Sequence, residues 1–182
     1  MPIRNELLEE ILTATMDGIP ADNCTIGLVD YNDAATVITP INIPTGLVNV
    51  NVTNDTLGPL TNKAYLPLGV TDVWDSSTDL FDWSELKLGD MIDIRLDLSV
   101  TTTSPNQLVQ VDLSLGVGGS QYSIPFEDNV FKSSGTQRIT RYNGIYIGDT
   151  NTLNNGARFV IRSDNTATLV VNGWYVKVLI RG

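Results

Sequence analysis

Carboxylates supply most of the chemistry open to this chain, because its 182 residues hold 21 Asp and Glu and no histidine. A missing imidazole removes the usual general base, the usual activator of a serine or cysteine nucleophile, and the commonest nitrogen ligand of metals. What remains for catalysis is a glycosidase-type pair, one carboxyl as acid and another as nucleophile or base on a facing strand. Asp93, Asp97 and Asp112 are the candidates by position. They alternate with apolar residues, as a solvated strand face also requires, so the solvated reading competes with the catalytic one. Calcium is the other use of clustered oxygens. "DYND" (30–33), "WDSSTD" (74–79) and "GDTNT" (148–152) have the oxygen density for it. None has EF-hand spacing, and Asx turns use the same residues without an ion. No catalytic residue, metal ligand or cofactor is predicted.

Trp74, Phe81 and Trp83 stand close together in an acidic stretch. They are candidates for surface recognition of a sugar or a partner, or they plug one end of a core. "LGVGGSQYS" (115–123) has glycines but no strand-loop-helix context, and reads as a flexible strand end rather than a phosphate loop. The formal charge of -10 repels phosphate backbones and anionic lipid heads, which disfavours nucleic-acid and membrane partners. Cys24 is the lone cysteine, so it forms no intramolecular disulfide and reads as a small apolar residue.

Two kinds of element must position these side chains. Residues 1–20 form an N-terminal amphipathic arm, with Ile3, Leu7, Leu8, Ile11, Leu12 and Met16 on one helical face and Gly18 and Pro20 as the stop. A helix this short is marginal alone, so its stripe is predicted to bind a partner surface or its own domain. Its acidic residues exclude a signal peptide or membrane span, and a cytoplasmic origin fits, as does a particle assembled in a cytoplasm.

Residues 21–182 read as one β domain, long enough for a single core. "ATVITPI" (35–41) and "GLVNVNVT" (46–53) are predicted strands, and 59–90 a surface connection with at most one short strand. Further on, Ile92, Ile94, Leu96, Leu98 and Val100 alternate with Asp93, Arg95, Asp97 and Ser99. Val109, Val111, Leu113, Leu115 and Val117 alternate in the same way with Gln110, Asp112 and Ser114. Such alternation marks antiparallel strands with one wet face, and "TTTSPNQ" (101–107) is expected to let the two runs pair as neighbours. Asp164-Asn165 and Asn172-Gly173 are predicted two-residue hairpin turns, and the Asn-Gly pairs at Asn143 and Asn155 are predicted turns too. About eight to ten strands with no interior helix and no sequence repeat predict an all-β, antiparallel jelly-roll sandwich. In the last strand Tyr175, Lys177 and Leu179 oppose a core face of Trp174, Val176, Val178 and Ile180. Apolar residues on both faces predict a strand central in its sheet or covered by another subunit, so Tyr175, Lys177 and Leu179 are candidate subunit-interface residues.

"LKLGDMIDIRLDLSV" (86–100) and the run from "YNGIYIGDTNT" to the closing "NGWYVKVLIRG" (142–182) resemble small jelly-roll structural proteins of tailed bacteriophage virions. The resemblance covers residues 83–182. It implies a non-enzymatic, homotrimeric capsid decoration (cement) or head-fibre protein, with a fold similar to the tumour-necrosis-factor trimers. It also implies that the arm attaches to the major capsid protein or another virion protein, after assembly in the host cytoplasm. The alternative is a carbohydrate-binding adhesin or tail-associated receptor-binding module that meets a host-surface glycan.

Overall fold

The computed structural model describes residues 25–181. The predicted arm and Cys24 lie outside the described residues. The first half contributes β1 (Thr25–Tyr31), α1 (Ala35–Ile38), β2 (Ile41–Ile43), β3 (Val50–Asn51), β4 (Asn62–Tyr65), β5 (Trp74–Asp75) and β6 (Leu80–Phe81). The longer elements follow: β7 (Met91–Thr102), β8 (Gln107–Leu115), β9 (Tyr122–Phe131), β10 (Gly135–Tyr146), α2 (Thr150–Asn155), β11 (Ala157–Ser163) and β12 (Ala167–Ile180). Among the described residues no helix is long and apolar enough to cross a membrane.

Two six-stranded antiparallel sheets hold these strands. One runs β10-β7-β12-β1-β4 with β2 also paired to β12, and the other runs β5-β6-β11-β8-β9 with β3 also paired to β11. The long strands therefore alternate between sheets, and of their connections only β8 to β9 stays within one. That order is a jelly-roll sandwich, and its core lies where the two inner faces meet. Ile92, Ile94, Leu96, Leu98 and Val100 from β7 are fully buried against Val109, Val111, Leu113 and Leu115 from β8. Each such side chain contributes about 1.5–3 kcal/mol on burial, so the alternation commits each strand to one face.

The apolar faces of β7 and β8 are as expected, but Asp112 and Ser114, read as the wet face of β8, are buried, Val117 falls past the end of that strand, and several neighbours and turns differ. β7 and β8 do not pair; "TTTSPNQ" carries the chain from one sheet to the other. The buried Gln107 side chain explains the corner. Its Oε1 accepts from the Thr103 and Ser104 amides at 3.0 and 3.2 Å, and its Nε2 donates to Ser163 Oγ and to the Asn165 and Thr166 carbonyls at 2.9–3.0 Å. This one amide ties the β7–β8 crossing to the β11–β12 crossing, so Asp164-Asn165 is an inter-sheet corner rather than a hairpin turn. The other Asn-Gly pairs are not hairpins either. Asn143-Gly144 runs straight through β10 opposite Ile94 and Asp93, and Gly156 caps the C-terminus of α2 at φ 62°. Asn172-Gly173 is a bulge within β12, where the register against β7 shifts between Val171 and Gly173.

"ATVITPI" splits into α1 and β2. Asp33 accepts from the Thr36 amide at 2.7 Å and from its hydroxyl, while Asp55 accepts from the Ala34 and Ala35 amides at 2.9 and 3.0 Å. These carboxylates hold a helical turn that β-branched residues alone would not adopt. Thr36 Oγ1 in turn accepts from the Val171 amide at 2.8 Å, filling the gap in β12 between its partners β1 and β2. Residues 59–90 are no mere surface connection. They supply β4, β5 and β6 and bury Val70, Val73, Trp74, Phe81, Trp83 and Leu86.

Candidate functional site

The outer face of the sheet holding β12 gathers Asp93, Asp97, Tyr175, Lys177 and Leu179 from the side chains picked out by the sequence. β12 lies at its centre, between β7 and β1. Strand register sets out the face in rows. The first row is Tyr146 (β10), Met91 (β7), Leu179 (β12) and Ile26 (β1). It is an apolar band four strands wide, and Tyr146, Met91 and Ile26 are 60%, 44% and 58% exposed. Next come Asp93, Lys177, Leu28 and Tyr65, then Tyr142, Arg95, Tyr175 and Asp30. Tyr175, Lys177 and Leu179 thus share one face. Only Leu179 belongs to the apolar band, whereas Lys177 is tied to Asp93 at 2.9 Å and Tyr175 lies under the Arg95 guanidinium, 5.3 Å from its ring centre.

Above the Asn172-Gly173 bulge the face dips into an open groove of about 500 Å³. One wall is a fixed polar cluster. Arg138 Nε donates to Asp97 Oδ1 at 2.8 Å while Nη2 holds Oδ2, and Asn172 Nδ2 donates to Asp97 Oδ1 at 2.9 Å and to Ser99 Oγ at 3.0 Å. The Arg138 hydrogen bonds, with help from Asn172, hold the Asp97 carboxyl below its ordinary value of 3.8. A carboxyl so depressed contributes stability that is fully present above pH 3.8 and lost as pH falls through its folded value. Wild type should therefore lose stability more steeply below pH 3.8 than Asp97→Asn does. Denaturant midpoints measured across that range read the difference, and parallel acid limbs would refute it.

The carboxylates do not form a catalytic pair. Asp93 and Asp97 are four residues apart on one face of β7, which puts them about 13 Å apart at about 3.4 Å per residue. Glycosidase pairs lie about 5–9.5 Å apart. Asp112 belongs to the other sheet, paired with Arg162. Each of the three oxygen-rich stretches holds a carboxylate engaged in local hydrogen bonds, Asp33 with Thr36 in the first. Asp75 accepts from the Ser77 amide and hydroxyl and the Thr78 hydroxyl at 2.7–2.8 Å, and Asp149 caps α2 through the Thr152 amide at 2.7 Å. Among the described residues no group of three or more acidic or sulfur ligands is placed to hold a metal.

The surface-recognition reading of Trp74, Phe81 and Trp83 is corrected by burial: they are 2%, 0% and 0% exposed. Phe81 stacks on Trp83 at 5.1 Å, and Trp74 meets Phe81 at 4.9 Å and Trp174 at 4.5 Å, edge to face. Turn residues around them suggested an exposed loop, but burying such large apolar surfaces outweighs local loop chemistry. The residues that sequence reasoning missed are Met91, Tyr146 and Ile26 in the band, and Arg95, Arg138 and Asn172 at the groove. The β7 alternation already pointed Arg95 outward. Nothing local placed β10 or β1 beside it.

No protein-family model matches the chain, and no curated protein sequence matches it. Solved structures of similar fold include the infectious bursal disease virus VP2 subviral particle, at 9% identity and TM-score 0.47 over 88% of this chain and 34% of that one. The PRD1 vertex protein aligns at 13% identity and TM-score 0.37 over 85% of this chain and 71% of that one. The Eiger TNF of S. frugiperda aligns at 8% identity and TM-score 0.39 over 87% of this chain and 94% of that one. The chain spans about a third of the VP2 chain and nearly the whole of the TNF chain.

Proposed function

We propose that the protein is a non-enzymatic structural component of a virus particle, a homotrimer whose subunits meet through the apolar band on the β12 sheet. The observation that carries the assembly is the row Tyr146, Met91, Leu179 and Ile26, an apolar row contiguous across four strands, whereas the rows beside it are broken by Asp93, Lys177, Arg95 and Asp30. A solvated sheet face keeps its polar alternation, and a contiguous exposed apolar patch marks a place where another surface sits. A charge of -10 on each copy opposes association, and apolar burial in the band is what offsets that repulsion. The particle and the tailed-bacteriophage setting rest on the resemblance of residues 83–182, above all the closing "NGWYVKVLIRG". In that setting residues 1–20, through Ile3, Leu7, Leu8, Ile11, Leu12 and Met16, hold the trimer to the major capsid protein or another virion protein. The β domain then stabilises the shell or faces outward, as a decoration, cement or head-fibre protein does. At the similarities found, the virus proteins among the fold neighbours speak for the fold alone.

Sedimentation of the full chain, of a chain beginning at Ile19, and of Leu179→Asp tests the assembly. The expected result is a trimer for the first two and a monomer for Leu179→Asp, since a carboxylate buried in an apolar contact costs more than the association returns. A monomeric full chain, or a trimer unmoved by Leu179→Asp, would remove the band from this role. Cross-linking on purified particles should then find residues 1–20 beside a shell or tail protein.

A further inference from the structure

The groove beside the band has the chemistry of a ligand site, and we propose that it binds a neutral saccharide of one or two rings. Arg95, Tyr175 and Asp30 are register partners on three adjacent strands. At about 4.8 Å per strand the row spans about 10 Å from the guanidinium-bearing residue to the carboxylate-bearing one. A planar fork of N–H donors lies over the Tyr175 ring, and a pure acceptor, Asp30, stands on the strand beyond it. A pyranose presents the complement: hydroxyls at its rim that both donate and accept.

The groups at the two ends are open, and those in the wall are not. Neither Arg95 nor Asp30 is among the five ion pairs of the described residues. The Arg95 guanidinium instead rests over Tyr175, which orients its donors without using them up. Arg138 and Asn172 both bond to Asp97 and hold its carboxylate in the wall of the groove. The opposite lip is Leu60, an exposed apolar side chain. Two arginines and two aspartates around the groove cancel in formal charge, so a neutral ligand fits it, whereas an anionic sugar would meet the repulsion of the whole chain. The volume of about 500 Å³ lies within the roughly 300–1,000 Å³ of small-molecule sites. The bulge that creates the dip costs β12 regular pairing, and bulges recur where a strand re-aims side chains at a site.

The groove is separate from the apolar band, so this proposal stands or falls apart from the trimer. Saturation-transfer NMR on the full chain, with cellobiose, maltose, lactose and diacetylchitobiose as probes and glucuronic acid as the anionic comparison, tests it. At least one disaccharide is expected to bind. Affinity should fall about tenfold or more in Arg95→Met and in Asp30→Asn, the loss of one charged hydrogen bond, and stay unchanged in Asp128→Asn on the other sheet. No transfer from any of the four, binding that survives both groove variants, or preference for glucuronic acid would each overturn the proposal. Sedimentation of the same samples separates a lost sugar contact from a lost assembly.

Discussion

Trp174→Ala should lower the free energy of unfolding by about 3–5 kcal/mol, the range for removing a fully buried large aromatic side chain. Trp174 is buried and meets Trp74, Phe81 and Phe159 at ring distances of 4.5, 5.7 and 5.8 Å. Those partners come from β5, β6 and β11, all in the opposite sheet. The indole therefore joins the two sheets beneath the groove, and its loss leaves a cavity that the packed rings cannot close. Trp174→Phe should cost less than half as much. It keeps an aromatic contact and removes an indole N–H that has no hydrogen-bond partner, unlike the Trp74 indole, which donates to the Asn54 carbonyl at 3.0 Å. Chemical denaturation of the three proteins measures both differences. A loss below about 1 kcal/mol for Trp174→Ala would mean that the cluster collapses freely around the gap.

Gly173→Ala should cost about 3 kcal/mol or more, from backbone strain of about 1–3 kcal/mol and overpacking of a similar size. Gly173 sits at φ 142°, and a methyl group there would lie 2.3 Å from the Tyr31 carbonyl oxygen and 2.6 Å from Asn32 Nδ2. The first obstacle is β1 backbone, which cannot move aside without breaking its ladder with β12. Gly46→Ala and Gly69→Ala are the controls. Both glycines have positive φ, at 92° and 90°, with open space where the methyl group would go. Each should lose only about 1–2 kcal/mol. If all three variants lost the same amount, close approach at the bulge would not be what requires glycine. Because the bulge also shapes the groove, Gly173→Ala is expected to weaken saccharide binding at temperatures where it remains folded.

Which apolar side chains of β7 and β8 face the core was readable from their alternation, since a period of two follows from strand geometry and Ile92, Ile94, Leu96, Leu98, Val100, Val109, Val111, Leu113 and Leu115 are all fully buried. The class of fold followed from the same periodicity. Turn chemistry was read less well, because Asn-Gly describes what the backbone tolerates and not what the surroundings ask of it. In three places that tolerance served a straight strand, a helix cap and a bulge. Asp164-Asn165 and "TTTSPNQ" were likewise turns, but the hydrogen-bonding of Gln107 bound both into inter-sheet corners.

By itself, then, the amino-acid order determined an acidic, histidine-free β chain, the inward and outward faces of its long strands, and the placement of Tyr175, Lys177 and Leu179 together on one face. Only the tertiary structure decided that β12 lies between β7 and β1, that Trp74, Phe81 and Trp83 are core, and that Met91, Ile26 and Tyr146 join Leu179 in one band. The physical reason is range. Alternation acts between adjacent residues, whereas strand pairing is chosen by contacts between distant segments such as Ile26 and Leu179, and the free energy of burying a whole sheet face outweighs what any four-residue turn prefers.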